Sequence, residues 1–197
     1  VCFNPWLWIR EPSARFMYAS YSGGLATEHA VLSRRVIDSD WYQDRWGSEF
    51  KLTTDQNIKT HYENTKRGYR ISTSVGGTVT GHGSDFLGLD DPHNLQNIHS
   101  ESERINVYQF YKKVWHSRLN DPKTGCRFCI MQRGHQDDIA GHMKDEFGYE
   151  VLMLPTEYDP KRSVVTSLGF KDPRTEPGEL LCPERKGREE VDEDKRI

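Results

Sequence analysis

Apolar and polar positions change period several times along the chain, and each change marks an element. Residues 15–20 (RFMYAS) form a short β-type run that enters a Ser/Gly turn. Between residues 25 and 37 the apolar positions Leu25, Ala26, Val31, Leu32, Val36 and Ile37 recur at helical spacing, and Asp38-Ser39-Asp40 stops that helix. Residues 41–50 are aromatic, follow neither period, and read as irregular. Residues 51–54 and 69–73 are candidate strands, and the glycine-rich stretch 76–83 is a turn or hairpin. Residues 85–89 form an apolar run of the kind found in a buried strand. Ser100 and Glu103 stand in capping-box positions and open a helix that carries Ile105, Tyr108, Val114 and Trp115, ending near Asn120-Asp121-Pro122. Residues 127–132 form the next strand, Asp137-Asp138 start a helix to about Phe147, and 149–154 are a further strand.

Strands that alternate with helices predict an α/β fold with a mostly parallel sheet flanked by helices. This core is expected over residues 1–155. From Pro155 the chain turns polar and proline-rich, so residues 156–197 read as a linker region. No repeat or low-complexity tract interrupts the pattern.

Composition adds limits. Hydrophobic residues make up 35% and charged residues 29% of the 197, the balance of a soluble globular chain. No apolar run approaches the roughly 20 residues of a membrane span. Residues 1–10 are apolar but lack the basic start and small-residue cleavage site of a signal peptide. A net charge of −3 argues against a protein that coats DNA statically. Cys126 and Cys129 have zinc-ligand spacing, but no second pair follows, and reduced thiols on a strand are expected. The abrupt aromatic start and charged finish are those expected of a fragment.

The sharpest chemical signal is Asp85-Phe86-Leu87-Gly88-Leu89-Asp90-Asp91-Pro92, an apolar strand that ends in two carboxylates. Ligands of open α/β sheets sit beyond the carboxyl ends of strands. A pair of acids there suits Mg²⁺ and a nucleotide: the first associates with the metal, the second polarises the attacking water. The competing reading is an ordinary strand end with an Asp-Asp-Pro turn. A second apolar strand runs out into Gln132 and Arg133, which could sense a γ-phosphate. There the competing reading is a polar loop in which Asp137 or Asp138 caps the next helix. The stretch 76–83 does not match G-x-x-x-x-G-K-[ST], and no such phosphate loop occurs in the chain.

Seven stretches together resemble one family. Residues 15–26 (RFMYASYSGGLA), 39–47 (SDWYQDRWG), 52–57 (LTTDQN), 81–92 (GHGSDFLGLDDP), 118–125 (RLNDPKTG), 130–141 (IMQRGHQDDIAG) and 172–185 (DPRTEPGELLCPER) occur in the order found in tailed-bacteriophage terminase large subunits. The resemblance implies a RecA-like P-loop NTPase core, incomplete at its N-terminus, with the phosphate loop before residue 1 and a ribonuclease H-like nuclease after residue 185. By position, Asp90 matches the Mg²⁺-associated acid, Asp91 the water-activating acid, and Gln132 and Arg133 the segment that couples hydrolysis to movement. Gly88 and Gly134 depart from the family pattern. The resemblance also implies ATP and Mg²⁺ as cofactors and double-stranded DNA, portal protein and the small terminase subunit as partners. It further implies a homo-oligomeric ring on the prohead in the host bacterial cytoplasm. Alternatives that stay open on the residues alone are another P-loop ATPase such as a helicase, a two-metal nuclease, and a non-catalytic α/β binding module.

Overall fold

A computed structural model describes residues 1–196 and divides the chain into two compact units, Val1–His142 and Met143–Ile197. The first is built on a six-stranded sheet in the order β2-β3-β4-β1-β5-β6. Its strands are β1 (Phe16–Ser20), β2 (Leu52–Asn57), β3 (His61–Asn64), β4 (Tyr69–Ser74), β5 (Phe86–Asp90) and β6 (Cys126–Ile130). β4, β1, β5 and β6 run parallel, while β2, β3 and β4 form an antiparallel meander. The sheet is thus mostly parallel, as the alternating pattern predicts. β3 was not foreseen: its four residues are too short to show a period.

β1 is buried along its whole length, which is why its run reads as continuously apolar rather than alternating. In register across β1 and β5, Met17 faces Leu87 and Ala19 faces Leu89. Phe16 and Tyr18 point to the other face, into an aromatic core with Trp8, Tyr42, Phe50 and Tyr62. Gly88 lies between Tyr18 and Phe128 in register. A Cβ built there would come within 2.7 Å of the Phe128 ring and 2.8 Å of Tyr18, so the glycine makes room for two aromatic side chains.

Helix α1 (Phe3–Trp8) buries Asn4, Pro5, Leu7 and Trp8. Helix α2 (Gly23–Asp38) starts at Ser22, whose hydroxyl accepts the Leu25 amide at 3.2 Å. Its buried face is Ala26, Ala30, Ser33 and Ile37, whereas Leu32 is exposed. Three of the four buried residues are small, and Ile37 is the large apolar one among them. Of residues 41–50, the first six are not irregular: α3 (Asp40–Trp46) forms because Ser39 ends α2 and then caps the next helix through the Tyr42 amide, and only 47–50 lie outside a regular element. Tyr42 is buried and donates to the Pro5 carbonyl at 2.7 Å; burial raises its pKa to about 12.

The helix expected from Ser100 to residue 120 changes geometry on the way. After α4 (Glu101–Phe110) it continues as a π-helical turn, Tyr111–Trp115, and a 3₁₀ turn, His116–Arg118. The wider turn lets adjacent Phe110 and Tyr111 both be buried, with Trp115 and Leu119 beyond them. The capping box does not form, because the Ser100 hydroxyl pairs with Ser102 at 3.0 Å.

Helix α5 (Ile139–Asp145) follows Asp138, whose carboxylate accepts the Gly141 amide at 2.9 Å. The second unit has little regular structure beyond a 3₁₀ turn at Pro160–Arg162 and α6 (Arg188–Asp194). The strand expected at 149–154 is absent: among the described residues the run enters no ladder, and Val151 and Leu152 are about half exposed. An apolar run becomes a strand only where a neighbour offers backbone partners. The unit is organised instead by the buried pair Asp172 and Arg174. Arg174 donates Nε and Nη2 to both carboxylate oxygens of Asp172, at 2.9 and 2.7 Å, and its remaining N–H groups to the carbonyls of Pro155, Thr156 and Glu179. Among the described residues no helix is long and apolar enough to cross a membrane.

Candidate functional site

The carboxyl ends of four parallel strands are tied into one rim. The Val75 amide donates to Ser20 at 2.8 Å, the Tyr21 amide to Asp91 at 3.0 Å, and the Asp91 amide to Ile130 at 2.9 Å. The ladder therefore continues past β4, β1, β5 and β6. Asp90 ends β5 opposite Ile130 of β6, and β5 has a strand on either side. The two acids and the segment that leaves β6 share one end of the sheet, as the two apolar strands with polar tips predict.

Asp91 is exposed and takes a left-handed backbone conformation, φ 45°, outside glycine a feature of Asp and Asn. That turn carries the chain from the strand into Pro92 and His93. The Asp90 carboxylate is partly exposed, and its Oδ2 accepts a bond from His29 Nδ1 of α2 at 2.8 Å. Oδ1 is left for a cation or a cation-bound water. Among the described residues no group of three or more His, Cys, Asp or Glu could hold a metal by itself. The donor set fits Mg²⁺ in its usual mode, with one or two carboxylates and the remaining positions taken by water and phosphate oxygens.

β6 ends at Ile130, so Gln132 and Arg133 lie in the loop beyond it. Gln132 is exposed. The Arg133 guanidinium turns into its own loop: Nε pairs with the Asp138 carboxylate at 2.9 Å, and Nη2 donates to the carbonyls of His135 and Gln136 at 3.2 and 3.1 Å. Asp138 is fully buried and also accepts the Gly134 and His135 amides at 3.2 and 3.3 Å. The geometry realises the loop-capping reading of Arg133. Gly134 is explained by packing, since a Cβ there would meet Ile98 at 2.8 Å and Leu95 at 3.0 Å.

His29 and His93 were not singled out from the sequence. His93 is buried, and its Nε2 accepts the Ile139 amide at 3.0 Å, joining the β5 tip to the start of α5. Burial lowers its pKa first of all, Arg104 and His142 add to that, and Asp138 opposes it. A cavity of about 480 Å³ opens beyond the tips of β4, β1 and β5, lined by Tyr21, Gly76, His93, Asn97, Glu103 and Asn106 among others. The one sequence signal for His29 was its place between Ala26 and Ser33 on the small-residue face of α2.

Neither a protein family nor a curated protein matches the chain.

Proposed function

We propose that the chain is the acidic half of the nucleotide site in a RecA-like P-loop ATPase core, belonging to the large terminase subunit of a tailed bacteriophage. The observation that carries this reading is the β5–β6 junction. Asp90 and Asp91 leave one parallel strand tip, residues 131–133 leave its neighbour, and the Asp91 amide bonds the Ile130 carbonyl between them at 2.9 Å. The ordered motifs described above supply the family.

Bound Mg²⁺ would neutralise charge on the β- and γ-phosphates of ATP. Asp90 would hold the metal or its water through Oδ1, steadied by the bond to Oδ2. Asp91, exposed at the turn, would orient the attacking water and accept its proton. No residue of this chain is assigned the phosphate-cradling lysine and backbone amides, since it holds no G-x-x-x-x-G-K-[ST]. Arg133 would act by holding the loop from β6 to α5, so that a change at the nucleotide reaches α5 as a unit, with Gln132 exposed at the mouth of that loop. In the virus, hydrolysis would drive double-stranded DNA through the portal protein into the prohead. The motor would be a homo-oligomeric ring working with the small terminase subunit in the host cytoplasm, and a separate nuclease domain would cut the DNA.

The test is Asp91→Asn in the intact protein. Asn accepts the left-handed conformation as readily as Asp, so the fold persists. Hydrolysis should fall on the order of a hundredfold or more, in line with the loss of a general base, while nucleotide affinity stays near wild type. Asp90→Asn should instead weaken the Mg²⁺ dependence of binding. Equal and mild effects of both changes would return the acids to the role of turn residues.

A further inference from the structure

The bond between His29 and Asp90 joins residues 61 positions apart in sequence, from the second turn of α2 to the tip of β5. We propose that His29 is a positioning residue that fixes the Asp90 carboxylate for metal binding, an inference that rests on reading Asp90 as the metal-associated acid. Three observations build it. The first is the buried face of α2: Ala26, Ala30 and Ser33 are small, so the helix lies close enough for a side chain of that length to reach the strand tip. The second is the contacting atom. Nδ1 sits one bond from Cγ, on the short side of the ring, so the 2.8 Å contact leaves the imidazole little freedom. The third is that α2 and the β5 tip are tied again nearby, since the residue before the Ser22 cap, Tyr21, donates its amide to Asp91 at 3.0 Å.

A carboxylate at an exposed strand end has a broad, two-fold torsion about its last bond. One oxygen held by a fixed donor orients the other. Carboxylates that ligate metals are themselves hydrogen-bonded, and loss of such an outer partner costs roughly 10- to 100-fold in metal affinity. The competing role is mere adhesion of helix to sheet, which any side chain of similar volume would serve.

Two substitutions separate these roles. His29→Asn keeps an N–H donor on an atom attached to Cγ, where Nδ1 stands. His29→Leu keeps volume and removes the donor. In the 197-residue chain, ¹⁵N NMR of histidine should show the His29 proton on Nδ1, and Asp90→Asn should move that resonance. A proton on Nε2 instead would overturn the proposal. In the intact protein with ATP, Mn²⁺ affinity read by electron paramagnetic resonance should fall about 10- to 100-fold in His29→Leu, and His29→Asn should restore most of it. If Asp90→Asn abolishes Mn²⁺ binding while His29→Leu binds as wild type, Asp90 remains the metal acid and His29 does not position it. If Asp90→Asn leaves Mn²⁺ affinity unchanged, the metal reading itself falls, and the positioning role with it.

Discussion

At the scale of single residues, backbone and contact geometry decide what each position tolerates. Gly88 has no room for a side chain because Tyr18 on β1 and Phe128 on β6 lean over it from both sides. Gly88→Ala should therefore destabilise the first unit by about 1–3 kcal/mol, the usual cost of an extra carbon in a packed core. Urea denaturation measures this, and a change within about 0.5 kcal/mol, the scatter of ordinary surface substitutions, would mean that Phe128 swings aside freely. Arg133 shows the opposite case. Its chemistry suits phosphate as well as carboxylate, and only the fold directs it to Asp138, two carbonyls and the start of a helix.

At the scale of elements, His93 fastens α5 to the β5 tip. Its Nε2 accepts the Ile139 amide only while that nitrogen carries no proton. With the folded-state pKa lowered by burial, the unfolded chain takes up a proton at a higher pH than the folded chain does. The stabilisation is thus fully present above the ordinary histidine value of about 6.5 and is lost as pH falls through the lowered value. Melting temperature should drop between about pH 7 and pH 5. The drop should be shallower in His93→Gln, without disappearing, since burial also lowers His61 and His116. An unchanged slope in His93→Gln would assign the pH dependence to those other rings.

At the scale of the whole molecule, each of the two units has its own source of internal cohesion. The first has an aromatic core between helices and sheet. The second, with only short helices, depends on Arg174, whose guanidinium satisfies Asp172 and three carbonyls at once. The bond from Arg174 holds the Asp172 carboxyl below its ordinary value. Arg174→Lys keeps the charge but cannot make that fork. Limited proteolysis should then open residues 155–180 while the sheet unit stays intact; equal resistance in variant and wild type would show that the hub is dispensable. The chain by itself should also show negligible Mg²⁺-dependent ATP hydrolysis, because it holds no phosphate loop. Turnover that survives removal of trace contaminants would contradict this.

Local pattern alone determined the alternation of strand and helix, the mostly parallel sheet that alternation implies and the polar ends of β5 and β6. Those features depend on side-chain period and on runs of burial that repeat within a few residues. The helix at residues 40–46 was hidden because its apolar residues are aromatic and its cap, Ser39, also ends the helix before it. The run at 149–154 carried a strand signal without a strand, since pairing belongs to the neighbour as much as to the run. The acids at 90 and 91 were legible because they follow an apolar run directly. The loop role of Arg133 was one of two readings open at that strand tip, and its partner five positions on lies within local reach. His29 and His93 were not legible, because their partners lie 61 and 46 positions away, and only the folded sheet brings a strand tip, a helix face and a helix start together.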